Sequence, residues 1–269
     1  MLEQNTKEVV ARGGFGVPTF WVNNGSEERM FFGADRLHFV EKFLGNPDPQ
    51  QPRLFSSISP ARTKTPKLTF YYDFSSPWSY IGSTQIDAVV KATGCAVEYV
   101  PILLGALFKE IGTPIVPMAV LIEPKRNYGM LDMQDWVKWY NIQLNWPSAF
   151  PIRTVLPLRV AIVEPKLVNA LYKAAWVDNI NIGDETQLKN LLDKLGYNSA
   201  DLLAKANEDN VKEQLRQNNI RAKAAGCCGV PSFQINNGEV IWGQDRLDIV
   251  MDLLCGWECP LIEIPRSKL

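Results

Sequence analysis

The sequence predicts an α/β fold in which a strand–helix–strand unit and a strand–strand–helix unit are separated by a long all-helical region. Residues 68–72 and 95–100 are rich in aromatic and β-branched side chains, and they flank a segment with helical spacing. Residues 232–235 and 240–242 flank Asn236-Asn237-Gly238, which is typical of a hairpin turn. The order βαβ, helices, ββα is that of a thioredoxin-like fold with an all-helical insertion domain.

The first helix of this fold has clear start and stop signals. Ser76 precedes Pro77, and serine at the N-cap followed by proline at the first helical position favours a helix start. Ile86 and Val89 supply an apolar face, and Gly94 predicts the helix end. We therefore expect one helix from Ser76 to Gly94 between the first two strands.

Helical spacing dominates the predicted insertion, at about residues 103–225. Leu188, Leu191, Leu192 and Leu195 give the cleanest apolar stripe, at positions i, i+3, i+4 and i+7. A final helix is predicted from about Arg246 to Leu254. The helical stretches within the insertion are residues 132–140, 158–177, 185–195 and 211–225.

The two ends of the chain share an internal repeat. Gly16-Val17-Pro18-Thr19-Phe20 recurs as Gly229-Val230-Pro231-Ser232-Phe233, and Asp35-Arg36-Leu37 recurs as Asp245-Arg246-Leu247. The separation is that of a domain rather than of a short solenoid repeat. Residues 1–45 are therefore predicted to be a partial copy of the ββα half of a thioredoxin-like domain.

This repeat divides the chain into four parts. Residues 46–66 hold several prolines among polar residues, which predicts an extended linker. Residues 67–256 form the complete domain, and residues 257–269 form a tail. For residues 1–45 three arrangements remain open, namely packing on the sheet edge, pairing with another subunit, or a poorly folded remnant.

Composition excludes several classes of function. The chain of 269 residues carries 28 basic and 29 acidic side chains, so no net positive field favours nucleic acid or a membrane surface. No apolar run predicts a membrane span, and no signal-peptide pattern opens the sequence. The one histidine, His38, lies in the partial copy at the position equivalent to Asp248. We expect it to have a packing or surface role. A histidine-rich metal site is thereby excluded, and no metal is predicted.

The five cysteines show no paired C-x-x-C spacing, which argues against a zinc knuckle or a dithiol redox centre. Their odd number fits a reducing compartment. Cys227 and Cys228 precede the second Gly-Val-Pro loop. We interpret these two as packing residues that are open to glutathionylation.

Several motifs together resemble one family, the kappa-class glutathione transferases and the related 2-hydroxychromene-2-carboxylate isomerases of the DsbA-like group. The resemblance covers about residues 67–256. Its motifs are residues 72–80 (YDFSSPWSY), 104–109 (LGALFK), 132–136 (DMQDW), 229–231 (GVP) and 243–246 (GQDR).

The resemblance implies that Ser76 is the catalytic residue and faces the sulfur of glutathione. A serine hydroxyl can donate a hydrogen bond to a thiolate, and a helix N-terminus favours negative charge. The alternative is that Ser76 is only a helix cap. The resemblance also implies a cis bond between Val230 and Pro231, with the Val230 backbone pairing with the tripeptide.

The resemblance places further glutathione-binding residues around this pair of loops. Gln244 and Asp245 would hold the γ-glutamyl end, although Asp245 as a helix cap remains an alternative. Lys125 would lie near the glycine carboxylate, or be an ordinary surface lysine. The remaining residues that the resemblance assigns to glutathione are Pro77, Trp78 and Thr113, and Thr113 stands where transferases of the family often carry asparagine.

The sequence thus predicts a kappa-type glutathione transferase that conjugates glutathione to electrophiles or reduces peroxides. One alternative is a glutathione-dependent 2-hydroxychromene-2-carboxylate isomerase, and another is a non-catalytic thioredoxin-like adaptor that binds extended peptides. The substrate would be a small electrophilic or aromatic molecule. Members of the family are commonly homodimers, and the resemblance implies the same here.

The last three residues, Ser267-Lys268-Leu269, match a peroxisomal import signal. They predict a peroxisomal location and binding to the import receptor. The alternatives are the cytoplasm and the mitochondrion.

Overall fold

The computed structural model describes residues 1–50 and 65–257. Most of the predicted linker, at residues 51–64, lies outside the described residues. The same holds for residues 258–269, which include Cys259 and the predicted import signal.

The N-terminal part forms a helix, a hairpin and a second helix. Helix α1 spans Leu2–Ala11 and buries no residue, which explains why no apolar stripe predicted it. Strands β1 (Thr19–Asn23) and β2 (Glu28–Phe32) pair antiparallel. A 3-10 turn leads from β2 into helix α2, Leu37–Phe43.

The complete domain begins with a parallel pair of strands, β3 (Lys67–Tyr72) and β4 (Ala96–Pro101). Two helices connect these strands, α3 (Pro77–Ser83) and α4 (Ile86–Thr93). The prediction of one continuous helix here is wrong, because the helix breaks at residues 84–85. Its predicted ends are observed, with Ser76 as N-cap and a left-handed glycine at the C-cap.

The regular elements of the insertion are all helices, and one predicted helix within it is divided. Pro165 splits the predicted stretch 158–177, because proline lacks an N–H and disfavours helical backbone in the preceding residue. The helices from α5 to α12 are Leu104–Ile111, Pro117–Val120, Glu123–Trp139, Val155–Val163, Val168–Trp176, Glu185–Lys194, Ser199–Ala206 and Asp209–Ala224.

The chain then returns to the sheet with β5 (Ser232–Ile235), β6 (Val240–Trp242) and α13 (Leu247–Leu254). The turn between the strands places Asn236 and Asn237 at left-handed φ values of 51° and 63°, as its sequence predicts. The strand order is β4-β3-β5-β6, with β3 antiparallel to β5. The loop that follows β3 and the loop that precedes β5 therefore lie side by side.

The core lies on both faces of this sheet. Side chains alternate along β3, so that Phe70 and Tyr72 belong to the larger apolar cluster. Tyr71 points to the other face, where it packs with Val100 and Cys227. Because both faces are covered, β3 is almost entirely buried and fixes the position of the loop that follows it.

The N-terminal hairpin does not extend this sheet but forms a two-stranded sheet of its own. Phe39 packs edge-on against Trp136 of α7, and the Tyr128 hydroxyl of the same helix accepts a hydrogen bond from the Phe32 N–H at 2.9 Å. The β1–β2 hairpin and α2 therefore pack on the helical insertion rather than on the sheet edge. Across the described ranges, no helix combines the length and apolar character that a membrane span requires.

Candidate active site

The Ser76 hydroxyl joins the two loops that the sequence singled out. Ser76 ends the β3 loop as the N-cap of α3, and its Oγ accepts a hydrogen bond from the Ser79 N–H at 3.2 Å. The same Oγ donates to the Val230 carbonyl oxygen, also at 3.2 Å. The hydroxyl is buried, and its one proton is engaged by Val230 in this state. Both the helix cap and the loop contact are therefore present.

The Val230–Pro231 loop lies against this serine, and its peptide bond is cis. Val230 is buried, and its carbonyl oxygen is the acceptor for Ser76. In the described part of the chain the Val230 N–H has no hydrogen-bond partner. This loop therefore offers a free backbone donor beside the serine.

A groove of about 280 Å³ runs along this loop, and we call it the proline-loop groove. Gln244 forms part of its wall, is 2% exposed, and has no hydrogen-bond partner for its side-chain oxygen. A buried polar atom without a partner is costly unless a ligand or water pairs with it. The groove is lined by Trp78, Asp132, Val230, Pro231, Trp242, Gly243, Gln244, Asp245 and Arg246.

The Asp245 carboxylate lies in an ion-pair network that extends to the N-terminal segment. Arg36 donates to Asp245 at 2.8 Å and to both oxygens of Asp132 at 2.7 and 3.1 Å. Arg246 pairs with Asp35 at 3.1 Å, and Asp35 also contacts Arg36 at 2.9 Å. The predicted role of Asp245 as an acceptor for an ammonium group therefore coexists with a guanidinium that is already bound to it.

Burial acts on both partners of the central ion pair. Burial by itself lowers the pKa of Arg36, but hydrogen bonding and attraction from Asp132, with smaller contributions from Asp245 and Asp35, raise it above the usual value. Burial raises the pKa of Asp132, against the opposing effect of Arg36. Arg36 consequently stays charged and is held by carboxylates from two elements.

A second and larger cavity, of about 580 Å³, opens beside the groove, and we call it the N-terminal cavity. The two share Trp78, Asp132, Asp245 and Arg246 in their walls. The other walls come from the N-terminal segment, from α6 and from the start of α7. Those residues are Phe15, Phe32, Gly33, Ala34, Asp35, Arg36, Met118, Leu121, Lys125, Arg126, Tyr128 and Gly129.

The predicted site residues are thus brought together only in part. Trp78, Val230, Pro231, Gln244 and Asp245 share the proline-loop groove. The exposed Lys125 lies in the wall of the N-terminal cavity instead.

The other predicted residues lie outside both linings. Ser76 reaches the groove only through its hydrogen bond to Val230, which is part of the lining. Pro77 is buried at the first turn of α3. Thr113 follows α5, where its N–H donates to the Phe108 carbonyl oxygen. Neither Pro77 nor Thr113 lines the groove or the N-terminal cavity.

His38 and the neighbouring pair Cys227 and Cys228 line neither the proline-loop groove nor the N-terminal cavity. His38 is 1% exposed and packs among aromatic rings, with centroids 4.6 Å from Trp139 and 5.4 Å from Trp136. Burial raises the pKa of the Cys227 thiol to about 11, which disfavours the reactive thiolate. Cys228 is exposed, yet burial of part of its side chain also raises its pKa.

Sequence reasoning did not assign Arg36, Asp132 or Trp242 to the site. The signal for Arg36 was present in the repeat, where Asp35-Arg36 matches Asp245-Arg246. Asp132 begins one of the motifs of the family resemblance. Neither observation indicates that the Arg36 and Asp132 side chains form an ion pair, because these residues are far apart in the chain.

Comparison with known proteins identifies the family. The DSBA-like thioredoxin domain matches residues 67–254. A 2-hydroxychromene-2-carboxylate isomerase of Sphingobium xenophagum is 26% identical over 196 residues, which are 98% of that protein and 71% of this chain. Glutathione S-transferase kappa 1 of Caenorhabditis elegans is 24% identical over 211 residues, which are 92% of that protein and 71% of this chain.

A solved structure of 2-hydroxychromene-2-carboxylate isomerase superposes with a TM-score of 0.62 at 23% identity, covering 70% of this chain and 94% of that one. The predicted thioredoxin-like fold with its helical insertion and the predicted family resemblance are both confirmed. Homologues of this chain are therefore glutathione transferases of the kappa class and hydroxychromene carboxylate isomerases. The chain belongs to the DsbA-like thioredoxin family.

Proposed function

We propose that this protein is a glutathione-dependent enzyme of the kappa-transferase type. The observation that carries the proposal is the Ser76 hydroxyl, held 3.2 Å from the Val230 carbonyl oxygen at the junction of two loops. A ligand thiolate arriving at this junction would compete for the hydroxyl proton. Because a thiolate is charged, its hydrogen bond is stronger than one to a neutral carbonyl.

The proline-loop groove offers groups for the rest of the tripeptide. The Val230 N–H would pair with the cysteinyl backbone carbonyl, as in strand addition. Gln244 and Asp245 would receive the γ-glutamyl end, where the unpartnered Gln244 side-chain oxygen can accept from the ammonium group. Lys125 in the adjoining cavity would attract the glycine carboxylate.

In the proposed reaction the bound thiol loses its proton to solvent, and Ser76 stabilises the thiolate. The thiolate then attacks an electrophilic carbon of the second substrate in the N-terminal cavity. A carbon–sulfur bond forms, and the leaving group departs with its electron pair. The chain itself needs no histidine base, because a thiol of lowered pKa is already ionised near neutral pH.

One observation favours a second candidate, the isomerase. The N-terminal cavity presents Lys125 and Arg126, which form no ion pair within residues 1–50 and 65–257, next to the aromatic rings of Phe15, Phe32 and Tyr128. Such a lining suits a flat molecule that carries a carboxylate. In this reading the thiolate adds reversibly to a hydroxychromene carboxylate, and glutathione is released unchanged after the ring has opened and isomerised.

The proposed role of Ser76 is tested by titrating bound glutathione in the wild type and in Ser76→Ala. We expect the substitution to raise the pKa of the bound thiol by about 1–2, because a hydrogen bond to a charged group contributes roughly 1.5–3 kcal/mol. Thiolate absorbance against pH gives the pKa, and calorimetry gives the affinity. Ser75→Ala is the matched control, since Ser75 is the neighbouring serine in the same loop and Ser76, not Ser75, bonds to Val230.

Identical titration curves for wild type and Ser76→Ala would remove Ser76 from the mechanism. Absence of glutathione binding by the wild type would overturn both enzyme candidates and favour the peptide-binding adaptor. With binding established, rates with a chlorodinitrobenzene-type acceptor and with hydroxychromene carboxylate distinguish the two activities. Turnover that consumes glutathione supports the transferase, and turnover that returns it supports the isomerase.

A further inference from the structure

The internal repeat is preserved in three dimensions. Both copies have a cis Val-Pro bond, at Val17-Pro18 and Val230-Pro231, followed by an antiparallel strand pair. In both, the glycine after the second strand donates its N–H to the carbonyl oxygen of that proline at 3.0 Å. Both glycines have almost the same φ, 103° at Gly33 and 105° at Gly243. The N-terminal segment 13–43 is thus a folded copy of the ββα half.

The two copies meet through the same pair of residues. Arg36 of the first copy binds Asp245 of the second at 2.8 Å, while Arg246 of the second binds Asp35 of the first at 3.1 Å. This reciprocity is the pattern of a two-fold interface, in which residue i contacts j and j contacts i. Here it arises within one chain, between its two copies of one motif.

One face of α7 holds the first copy in this place. The residues concerned follow helical spacing, so that they lie on the same side of the helix. Asp132 binds Arg36, Asp135 binds Arg29, and Trp136 packs against Phe39. The contact therefore combines ion pairs with aromatic burial over about one helical turn.

The Sphingobium xenophagum relative is too short to contain a segment equivalent to residues 13–43. Its alignment accounts for 98% of that protein but only 71% of this chain, and the matched family domain begins at residue 67. The corresponding faces of a chain without the first copy would be uncovered. A second subunit is what an isologous surface of this kind fits.

We propose that segment 13–43 takes the place of a second subunit in cis, covers this self-complementary face and completes the wall of the site. The chain then does not dimerise through this face, unlike the homodimer that the family resemblance predicts. This part of the proposal rests on contacts alone and is independent of glutathione.

The completed wall includes a positioning residue, Arg36. Asp132 and Asp245 both line the proline-loop groove, and Arg36 neutralises both of them. Glutathione carries two carboxylates and one ammonium group, and its thiolate adds a further negative charge, so the bound form is a net anion. Without Arg36, this anion would enter a site that already holds unpaired carboxylates. This second part rests on the proposed function.

The arrangement in cis is tested by cross-linking the full-length protein with a lysine-reactive reagent. Lys42 of the segment and Lys138 of α7 are exposed and line the same small cavity, of about 150 Å³. We expect a Lys42–Lys138 link in the band of single-chain mass on a denaturing gel. Lys138→Arg, which removes the reactive amine and keeps the charge, should abolish that link.

Finding the link only in the band of twice the chain mass would show exchange between subunits and overturn the proposal. Its absence from both bands, while each lysine is singly modified, would show that the segment does not occupy this face. Neither result depends on whether glutathione binds, so the outcome stays separate from that of the proposed function.

The role of Arg36 is tested by comparing Arg36→Gln with Arg29→Gln. Both arginines tie the segment to α7, but Arg29 pairs with Asp135 and lines neither the groove nor the N-terminal cavity. For Arg36→Gln we expect about tenfold weaker glutathione binding, together with a raised pKa of the bound thiol. For Arg29→Gln we expect affinity within about twofold of wild type and an unchanged pKa.

Equal losses of affinity in the two variants, with no change in the bound thiol pKa, would mean that the arginines only attach the segment. If Arg36→Gln fails to fold, Asp35→Asn replaces it, because that variant leaves Arg36 on Asp132 and Asp245 and removes the carboxylate that pairs with Arg36 and Arg246. With one negative charge fewer in the wall, glutathione should bind about threefold more tightly. An unchanged or weaker affinity in Asp35→Asn would then contradict the proposal.

Discussion

The two copies of the ββα motif have nearly the same local structure and very different surroundings. Val230 of the second copy is 5% exposed and faces Ser76, whereas Val17 of the first copy is 84% exposed. The second copy pairs with β3 in the sheet, and the first has no such strand among residues 1–50. The motif alone therefore builds a Val-Pro loop, and only the neighbouring strand and serine turn that loop into a candidate active site.

The largest expected difference concerns the equivalent phenylalanines of the two first strands. Phe233 is fully buried and stacks on Phe70, whereas Phe20 is only partly buried. We expect Phe233→Ala to lower the free energy of unfolding by about 3–5 kcal/mol. Phe20→Ala should lower it by about 1–2 kcal/mol, because less apolar surface leaves contact. Urea denaturation measures both.

Equal losses for the two phenylalanine variants would contradict this difference in burial. A separate unfolding transition for Phe20→Ala would instead show that the first copy melts on its own. Phe70→Ala should resemble Phe233→Ala, since its ring is the stacking partner and is equally buried.

The second difference is in pH dependence, at the equivalent positions His38 and Asp248. Burial, with the positive charge of Arg36, lowers the pKa of His38 from 6.5 to about 4. The unfolded chain therefore binds this proton first as pH falls, so the contribution of His38 is complete above pH 6.5 and is lost between 6.5 and 4. From pH 7 to 5 the free energy of unfolding should fall by about 2 kcal/mol.

His38→Gln should remove most of this fall, as followed by urea denaturation at each pH. Asp248 behaves in the opposite sense, because burial raises its pKa and its contribution is lost as pH rises. Asp248→Asn should therefore leave the fall between pH 7 and 5 in place. A pH profile of His38→Gln that matches wild type would contradict the burial of the imidazole.

The smallest expected difference lies at the two glycines that end the second strands. A Cβ at Gly33 or Gly243 would press on Oδ1 of Asp35 or Asp245, and both φ values are positive. Alanine at either position should lower the free energy of unfolding by about 2 kcal/mol, with less than about 0.5 kcal/mol between them. Gly45→Ala separates the cost of the φ alone, because nothing lies within 4 Å of its added Cβ.

Much of the fold could be predicted because its signals act between neighbours in the chain. The strand at 68–72, the cap at Ser76 and the turn at Asn236-Asn237-Gly238 each depend on residues a few positions apart. The break after Ser83 was missed, although Gly82, Ser83 and Thr84 at this point are poor helix formers. Helix α1 was also missed, because it buries no side chain and so shows no apolar stripe.

The candidate site could be predicted only in outline. The repeat pointed to Val230, Pro231 and Asp245, and the structure places these three in one groove. The sequence did not indicate that Arg36 would reach Asp245, because that ion pair depends on how the first copy packs on α7. It also did not indicate that Thr113 would lie away from the groove.

The sequence by itself determined the strands, the hairpin turn, the helix cap and the presence of two copies of one motif. Those features follow from backbone preferences and side-chain periodicity, which are local. The tertiary structure alone decided that one copy enters the sheet while the other rests on α7, with Arg36 between two carboxylates. That choice depends on burial and charge pairing between residues distant in the chain, and these are defined only once the surfaces have packed.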